Sequence, residues 1–382
     1  MLLAKKPKVK IFALVSYPFL PAKTGGEIST FQLLQHLGKE HQVKVFTVDP
    51  YTPINTNEFS FEILFGMRFK PWRYLNIFLP FLLTKQIKQH NSDIIFLDQP
   101  FMGWMIPVLK IFTRKKVFVR CHNIEYLRFK SMGKSWWSFM YMYEKMVHQL
   151  ADLVIFLSEV DQKHAQYEFN LNPDKTALIP TGINYQETPE PIKNAQENVK
   201  KELGIGSNQQ IVIYFGTMNY QPNYEGALYV LDEIYPRLLS QLNDNFFILI
   251  CGKGLPEEIA NRIIDKKQFK YLGFVENLDE YIDAADVLLN PIMSGGGVKT
   301  KALESLGRGK IVVSTYNGAL GIDQSVCEQH LKVASNHQWE EFTQLIIQAL
   351  KQSYSPMTKQ FFETYSWTSI VRKLSRRLSQ FQ

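Results

Sequence analysis

The chain has 382 residues, of which 45% are hydrophobic and 21% are charged, and its formal net charge is +7. This length predicts two domains of ordinary size, and the composition excludes a chain that is largely disordered. The positive charge is modest, and no block of Lys and Arg is dense enough to indicate nucleic-acid binding.

The cysteines and the apolar runs indicate the cellular compartment in which the protein is expected. Cys121, Cys251 and Cys327 are far apart and odd in number. We therefore expect neither a disulfide framework nor a zinc site, and a reducing compartment is favoured. The first eight residues lack the apolar core of a signal peptide, and no stretch reaches the ~20 apolar residues that span a bilayer. We expect a cytoplasmic protein.

Short apolar runs alternate with helical patterns along the first half of the chain, which is typical of a parallel sheet. The runs at residues 9–15, 43–48, 94–97, 117–119 and 153–157 are predicted as buried strands. A loop rich in Pro and Gly follows the first run, and an amphipathic segment at residues 28–37 comes next. Residues 1–183 are thus predicted to form a first Rossmann-like domain.

The pattern begins again after a polar stretch that contains Pro189 and Pro191, which predicts a linker at residues 184–203. Runs at residues 211–215, 246–250, 270–273, 287–289 and 311–313 predict a second Rossmann-like domain over residues 204–358. A last helix is predicted over residues 359–382. The predicted fold class is therefore α/β, with two doubly wound parallel-sheet domains facing a cleft and ligands beyond the carboxyl ends of the strands.

The segment with the clearest chemistry begins at the triple glycine of residues 295–297 and continues into a predicted helix. Glycine lets a ligand approach the backbone closely, and the amino end of a helix favours an anion such as phosphate. Lys299 and Lys301 lie in the first turn, where cations are unfavourable unless an anion is bound. Glu304 could accept hydrogen bonds from a ribose diol. A plain glycine turn with a Lys301–Glu304 surface pair is the alternative.

This segment resembles the donor-binding signature of the retaining family 4 glycosyltransferases, which adopt the GT-B fold. The matching features are the glycine loop, K-x-x-E at Lys301 and Glu304, and a strand that ends in Ser314-Thr315. Many members carry two glutamates seven residues apart, and Gly296 occupies the first of these positions here. A subgroup with the pattern G-x-G-x-x-x-K-x-x-E shares this departure.

The resemblance extends over nearly the whole chain and implies roles for further residues. Gly25-Gly26 is similar to the family's first glycine loop, and residues 120–125 resemble its His-Asn segment, which places His122 near the transferred sugar; a structural His is the alternative. Residues 215–223 resemble the second-domain glycine loop, and the resemblance implies that the last helix, residues 359–382, crosses back to the first domain. The Arg and Lys that many relatives carry downstream of this loop are absent, so Lys299 and Lys301 are expected to take part of that role.

The resemblance thus gives two sets of candidate site residues. The candidate catalytic residues are His122, Lys301 and Glu304. The candidate donor-binding residues are Gly25, Gly26, Gly216, Asn219, Gly252, Phe274, Val275, Gly295, Gly296, Gly297, Val298, Lys299 and Glu304. No Asp-x-Asp motif stands at a strand end, so we expect no metal site and no cofactor besides the nucleotide-sugar co-substrate.

The function that the resemblance implies is retaining, metal-independent transfer of a hexose from a UDP- or GDP-linked donor. The acceptor would be a glycan or a lipid-linked molecule in bacterial polysaccharide or glycoconjugate synthesis. A non-catalytic glycosyltransferase-like scaffold subunit and a nucleotide-sugar epimerase are the alternatives. A nicotinamide dehydrogenase is disfavoured because Glu257 replaces the third glycine of G-x-G-x-x-G.

Two stretches raise a separate hypothesis of peripheral membrane contact at the inner face of the cell membrane. Residues 68–83 and 128–142 interleave aromatic and basic side chains, a composition that suits the headgroup interface. Helices packed into the core with basic edges would explain the same pattern equally well.

Overall fold

The computed structural model describes residues 8–50, 52–295 and 297–381. The chain divides into two compact units, Met1–Gly182 with Trp367–Gln382, and Ile183–Ser366. Each unit is built on one sheet of parallel strands with helices on its faces. The prediction of two parallel-sheet α/β domains is therefore confirmed.

The first unit contains a sheet of seven strands within its described residues, in the order β3-β2-β1-β4-β5-β6-β7. The strands are β1 (Lys10–Val15), β2 (Gln42–Val48), β3 (Glu62–Met67), β4 (Ile94–Asp98), β5 (Lys116–Cys121), β6 (Leu153–Phe156) and β7 (Thr176–Leu178). The order reverses between β1 and β4, where Ala13 pairs with Phe96. This reversal is the position at which ligands of open α/β sheets bind.

Helices cover both faces of this sheet. They are α1 (Gly25–Glu40), α2 (Leu79–His90), α3 (Ile106–Thr113), α4 (Glu125–Ser131), α5 (Trp137–Leu150) and α6 (Glu159–Glu168). Helix α1 begins with a capping box, in which the Glu27 carboxylate accepts hydrogen bonds from the backbone N–H groups of Lys23 and Thr24. Gly25 and Gly26 therefore form the first turn of α1. Helices α2, α3 and α5 pack on the opposite face of the sheet from α1.

The second unit contains a sheet of six strands in its described part, in the order β10-β9-β8-β11-β12-β13. The strands are β8 (Gln210–Phe215), β9 (Phe246–Cys251), β10 (Phe269–Gly273), β11 (Val287–Asn290), β12 (Ile311–Thr315) and β13 (Leu331–Ala334). Here the order reverses between β8 and β11, where Ile213 pairs with Leu288.

The helices of the second unit follow the strands in the usual alternation. They are α7 (Ala195–Leu203), α8 (Gln221–Tyr229), α9 (Tyr235–Leu242), α10 (Glu257–Ile264), α11 (Leu278–Ala284), α12 (Thr300–Gly307), α13 (Tyr316–Ala319), α14 (Trp339–Leu350) and α15 (Lys359–Tyr365). A π-helical turn at Val230–Ile234 joins α8 to α9. Helix α12 is the one that follows the triple-glycine turn.

Two predicted segments differ from the structure. Residues 184–203, predicted as a linker, belong to the second unit, because α7 buries Ala195 and Val199 in its core. The single last helix predicted over residues 359–382 is instead two helices, α15 and α16 (Trp367–Leu378), separated at Ser366, whose backbone is extended. Helix α15 belongs to the second unit, whereas α16 packs against α1 in the first.

Helix length and hydropathy decide whether a segment can span a membrane. Within residues 8–50, 52–295 and 297–381, none is long and apolar enough to cross a bilayer.

Candidate functional site

Glycine turns meet at the carboxyl edge of the second sheet. The N–H of Gly216, just after β8, donates to the carbonyl oxygen of Cys251 at the end of β9, at 3.0 Å. A Cβ atom added to Gly252, which has φ +131°, would lie 1.8 Å from the carbonyl oxygen of Gly216. Only glycine fits at this approach. The Asn219 amide lies against the next turn, since a Cβ atom on Gly254 would come within 2.1 Å of its Oδ1.

The turn after β11 contacts the turn after β8. The strand order of the sheet reverses between these two strands. The hydroxyl of Ser294 donates to the Glu225 carboxylate on α8 at 2.8 Å. A Cβ atom on Gly295 would lie 2.8 Å from the hydroxyl oxygen of Tyr220 and 3.0 Å from the ring of Pro222. The sequence thus places its triple-glycine turn where a ligand is expected.

Lys301 projects from α12 into the space between these turns. Its Nζ donates to the carbonyl oxygen of Phe215 and to Oδ1 of Asn223, each at 3.2 Å, and lies 4.3 Å from the centre of the Tyr214 ring. Both acceptors are neutral oxygens. Burial, with a smaller contribution from the charge of Lys299, lowers the pKa of Lys301 to about 7. An arriving anion would favour the charged ammonium and raise this pKa again.

Lys299 adds a second ammonium group beside the same helix end. It donates to the carbonyl oxygens of Gly295 and Gly297 at 3.0 and 2.8 Å. Burial lowers the pKa of Lys299 to about 8. Two partly desolvated ammonium groups at the start of α12 make this edge of the sheet favourable for a phosphate.

The other predicted residues of the second unit surround this position less tightly. Glu304 lies one turn into α12, and its side chain is exposed. Partial desolvation by neighbouring protein atoms nevertheless raises the pKa of its carboxyl. Phe274, just after β10, is 74% exposed. Val275 and Val298 pack against the core of the unit. Gly296 lies outside the described residues.

A buried ionic cluster occupies the carboxyl ends of β4 and β5 in the first unit. Asp98, the last residue of β4, accepts hydrogen bonds on Oδ2 from the hydroxyls of Tyr17 and Thr30, each at 2.8 Å. Its Oδ1 lies 3.1 Å from Nη1 of Arg120 and 3.1 Å from Nε2 of His122. The cluster brings together the ends of the two neighbouring strands and the loop after β1.

The charges of this cluster compensate one another. Arg120 is only 1% exposed, and its Nη2 donates to the hydroxyl of Ser29 at 2.6 Å. Burial alone would raise the pKa of the Asp98 carboxyl, but His122 and Arg120 outweigh burial and hold this pKa well below its usual range. Burial, with the nearby Asp98 charge, raises the pKa of the Tyr17 hydroxyl. The Asp98 carboxylate thus supplies the counter-charge that the buried guanidinium of Arg120 requires.

His122 is held on one side of its ring and has space on the other. Nε2 contacts Asp98 and lies 3.0 Å from Nη1 of Arg120. A Cβ atom on Gly26 would lie 3.6 Å from Nδ1, in ordinary van der Waals contact. The glycine at position 26 therefore leaves the Nδ1 side of the imidazole less crowded than a side chain would. Gly25, Gly26 and His122 belong to the first unit, and the other candidate residues belong to the second.

Several residues of these two arrangements were not among the predicted site residues. Tyr17, Asp98 and Arg120 surround His122, and Tyr214 and Asn223 hold Lys301. Asp98 had a signal in the sequence, because it is a charged residue directly after an apolar strand. The contact of Tyr214 with Lys301 had no such signal, since Tyr214 lies inside an apolar run.

Two family models match this chain, one in each half. Residues 23–187 match the model described as Glycosyltransferase Family 4, and residues 209–352 match the model described as Glycosyl transferases group 1. Each match lies mainly in one of the two units.

Two proteins of similar sequence share low identity with this chain. An uncharacterized glycosyltransferase of Methanocaldococcus jannaschii is 20% identical over 410 residues, a match that covers 97% of this chain and 98% of that protein. An uncharacterized 44.6 kDa protein in the cps region of Klebsiella pneumoniae is 27% identical over 125 residues, which is 31% of this chain and 32% of that protein. The chain thus matches about a third of the length of the Klebsiella protein.

Solved structures are similar over nearly the full length. Anabaena HepE in complex with UDP superposes with a TM-score of 0.74 at 15% identity, covering 97% of this chain and all of that chain. A glycosyltransferase from Rickettsia africae gives a TM-score of 0.71 at 16% identity, covering 98% of both chains. WaaG, a glycosyltransferase involved in lipopolysaccharide biosynthesis, gives 0.63 at 16% identity, with coverage of 96% and 95%. At such identities the likeness establishes the fold.

Proposed function

We propose that this chain, which belongs to the glycosyltransferases with the GT-B fold, transfers a hexose from a UDP- or GDP-linked donor to a glycan or lipid-linked acceptor. The observation that carries this proposal is the position of Lys299 and Lys301, whose ammonium groups lie at the start of α12 among glycine turns. Transfer proceeds with retention of the anomeric configuration and without a metal ion.

The donor diphosphate binds at the amino end of α12. As the glycosidic bond breaks, negative charge develops on the departing nucleoside diphosphate. Lys299, Lys301 and the backbone N–H groups near Gly297 stabilise that charge, and their positions are fixed before the reaction begins. The lowered pKa of Lys301, about 7, supports this role, because the ammonium there is paired with neutral oxygens only.

The nucleoside lies further along the same edge of the sheet. Glu304 accepts hydrogen bonds from the ribose diol, because it lies one turn beyond Lys301 on α12. Phe274 and Val275 flank the base after β10, whose last residue, Gly273, accepts the N–H of Gly252. The glycine turns and this strand end therefore belong to one continuous edge.

His122 acts on the acceptor side, in the first unit. Its Nε2 contacts Asp98 and Arg120, which fixes the imidazole with Nδ1 beside Gly26. In this arrangement Nδ1 makes a hydrogen bond with a sugar hydroxyl, and the leaving phosphate helps to deprotonate the acceptor. We place this reaction in bacterial polysaccharide or glycoconjugate synthesis in the cytoplasm.

Calorimetric titration of the full chain with UDP, GDP, ADP and their sugars tests the donor site. Glu304→Gln should weaken binding of the preferred nucleotide about tenfold, by the loss of charge-assisted hydrogen bonds. Glu363→Gln, a similar change at another solvent-exposed helical position, should leave the affinity unchanged.

Other outcomes assign other functions. No measurable affinity of the wild-type chain for any nucleotide would contradict the proposal and favour a scaffold subunit. Conversion of a nucleotide sugar to its epimer without an acceptor would favour an epimerase. Equal affinity of Glu304→Gln and wild type would remove Glu304 from the site.

A further inference from the structure

Helices α2, α3, α4 and α5, together with the segments that precede α2 and α5, carry most of the exposed large hydrophobic side chains. In the described residues, 15 of 25 such side chains lie in residues 68–90, 99–118 and 126–149, and we call them the apolar surface. They are Phe69, Trp72, Leu75, Ile77, Phe78, Phe81, Leu82, Ile111, Phe112, Leu127, Met132, Trp136, Phe139, Met142 and Met146. All belong to the first unit.

Aromatic contacts connect the sequence-distant parts of this region. Tyr74 contacts Phe101 with ring centres 6.0 Å apart, Phe101 contacts Phe129 at 6.5 Å, and Phe129 contacts Trp136 at 4.3 Å. On the neighbouring helices α2 and α3, Phe81 contacts Phe112 at 5.7 Å. The two stretches that the sequence suggested separately for membrane contact are therefore parts of one region.

Packing into the core does not account for the outward side chains. Each helix buries a separate stripe against the sheet, represented by Leu83 on α2, Leu109 on α3 and Val147 on α5. In contrast, Ile111 is 71% and Met142 is 70% exposed. Contiguous exposed apolar areas of this kind mark interaction surfaces.

The charge of this region identifies its partner. Residues 68–90, 99–118 and 126–149 contain 13 Lys and Arg and a single acidic residue, Glu144, which is fully buried. Three of these cations pair with carboxylates just outside the ranges, Lys110 and Lys116 with Asp152 and Arg128 with Glu125, and ten remain for a partner. The whole chain carries a net charge of only +7, so the remainder is net negative. A second copy of the chain would bring like charges together across a symmetric interface. Anionic lipid headgroups complement both the cations and the apolar side chains.

We propose that the apolar surface binds an anionic lipid bilayer, with α2, α3 and α5 lying in the plane of the headgroup interface. The segment before α2 is tied to the loop after β1, because Nε of Arg73 donates to the carbonyl oxygen of Ser16 at 2.8 Å. Ser16 precedes Tyr17, a member of the Asp98 cluster. The surface therefore adjoins the acceptor side of the proposed site, although its binding to lipid does not depend on glycosyl transfer.

Vesicle flotation of the full-length chain tests this proposal without any sugar substrate. The wild type should float with vesicles that contain roughly one third phosphatidylglycerol, should not float with pure phosphatidylcholine, and should dissociate as salt is raised. Leu75→Ser/Phe78→Ser/Phe81→Ser should lose more than tenfold in affinity. Each cation near the membrane surface contributes about fivefold to the affinity for anionic vesicles. The variant Lys70→Gln/Lys85→Gln/Lys88→Gln should therefore bind them roughly a hundredfold more weakly.

Matched variants outside the surface serve as controls. Val160→Ser/Ile264→Ser removes equally exposed apolar side chains, and Lys39→Gln/Lys201→Gln/Lys359→Gln removes three exposed lysines. Both should bind vesicles like the wild type, and all variants should keep the wild-type circular dichroism and Tm.

Three results would overturn the proposal. The first is equal binding to neutral and anionic vesicles, or none to either. The second is a loss of binding in the controls as large as in the surface variants. The third is a wild-type dimer in solution that the apolar variant converts to a monomer while vesicle binding is unchanged, which would assign the surface to a second copy.

Discussion

Replacing Lys301 by methionine should stabilise the nucleotide-free protein and remove its response to UDP. The pKa of Lys301 in the folded protein is about 7, against about 10.4 in an unfolded chain. Each pKa unit corresponds to about 1.4 kcal/mol, so at pH 7 this lysine costs the folded state about 4 kcal/mol. At pH values between these two pKa values, Lys301 carries a proton in the unfolded chain and lacks it in the folded protein. The free energy of unfolding of the wild type should therefore rise with pH over this range.

Methionine removes this cost but also removes a hydrogen-bond donor. The carbonyl oxygen of Phe215 and Oδ1 of Asn223 each lose a bond worth about 1 kcal/mol. The net gain is about 2 kcal/mol. For a unit of this size, each kcal/mol moves Tm by about 2–4 °C, so Lys301→Met should raise the Tm of the second unit by about 4–8 °C at pH 7.

Thermal unfolding with and without UDP is the assay. A hundredfold excess of UDP over its Kd should stabilise the wild type by about 2.7 kcal/mol, and Lys301→Met should lose most of this shift. Wild-type affinity for UDP should fall as pH rises above 7, because binding requires the ammonium form. Lys310→Met is the matched control, since Lys310 is a buried lysine that donates to two backbone carbonyl oxygens at the opposite edge of the sheet.

Two results would refute the reasoning. One is a Tm of free Lys301→Met below that of the wild type at pH 7, which would mean that the ammonium stabilises the fold. The other is a UDP response retained in Lys301→Met or lost equally in Lys310→Met, which would place the anion elsewhere.

Two further predictions concern the first unit. Asp98→Asn leaves Arg120 buried without its counter-charge and should lower the free energy of unfolding by about 3–5 kcal/mol in urea titrations; a loss below 1 kcal/mol would mean that water or other groups already solvate the guanidinium. His122→Ala removes one hydrogen bond to the sugar, worth about 0.5–1.5 kcal/mol, and should lower the rate of glycosyl transfer by roughly 2–10-fold while Kd for UDP stays within about twofold. A parallel loss of UDP affinity would place His122 on the donor side instead.

The central strands could be predicted from sequence because they are buried on both faces. The runs ending at Val15, Leu97 and Phe215 are continuous and apolar, and the structure has a strand at each. Three of the four edge strands, β3, β7 and β13, escaped prediction, whereas the fourth, β10, was predicted at residues 270–273. An edge strand such as Glu62–Met67 has a partly exposed, mixed pattern that resembles a loop.

The candidate site could be predicted where it depends on backbone geometry. Glycines 216, 252, 295 and 297 mark turns at strand ends, and the structure brings these turns to one edge. Side-chain partners from distant elements could not be found in this way. The contact between Tyr17 and Asp98 joins positions 81 residues apart, and local patterns carry no information on such a pair.

The break at Ser366 has a consequence for the order in which the protein folds during synthesis. Helix α16 completes the first unit by covering α1, with Trp367, Ile370 and Leu374 fully buried there. The ribosome makes Gly182 long before Trp367, and at about 5–20 residues per second the interval is roughly 10–40 s. Until then the part of α1 around His36, whose ring stacks on Trp367, lacks its cover, and the nascent first unit exposes an apolar surface that a chaperone would recognise.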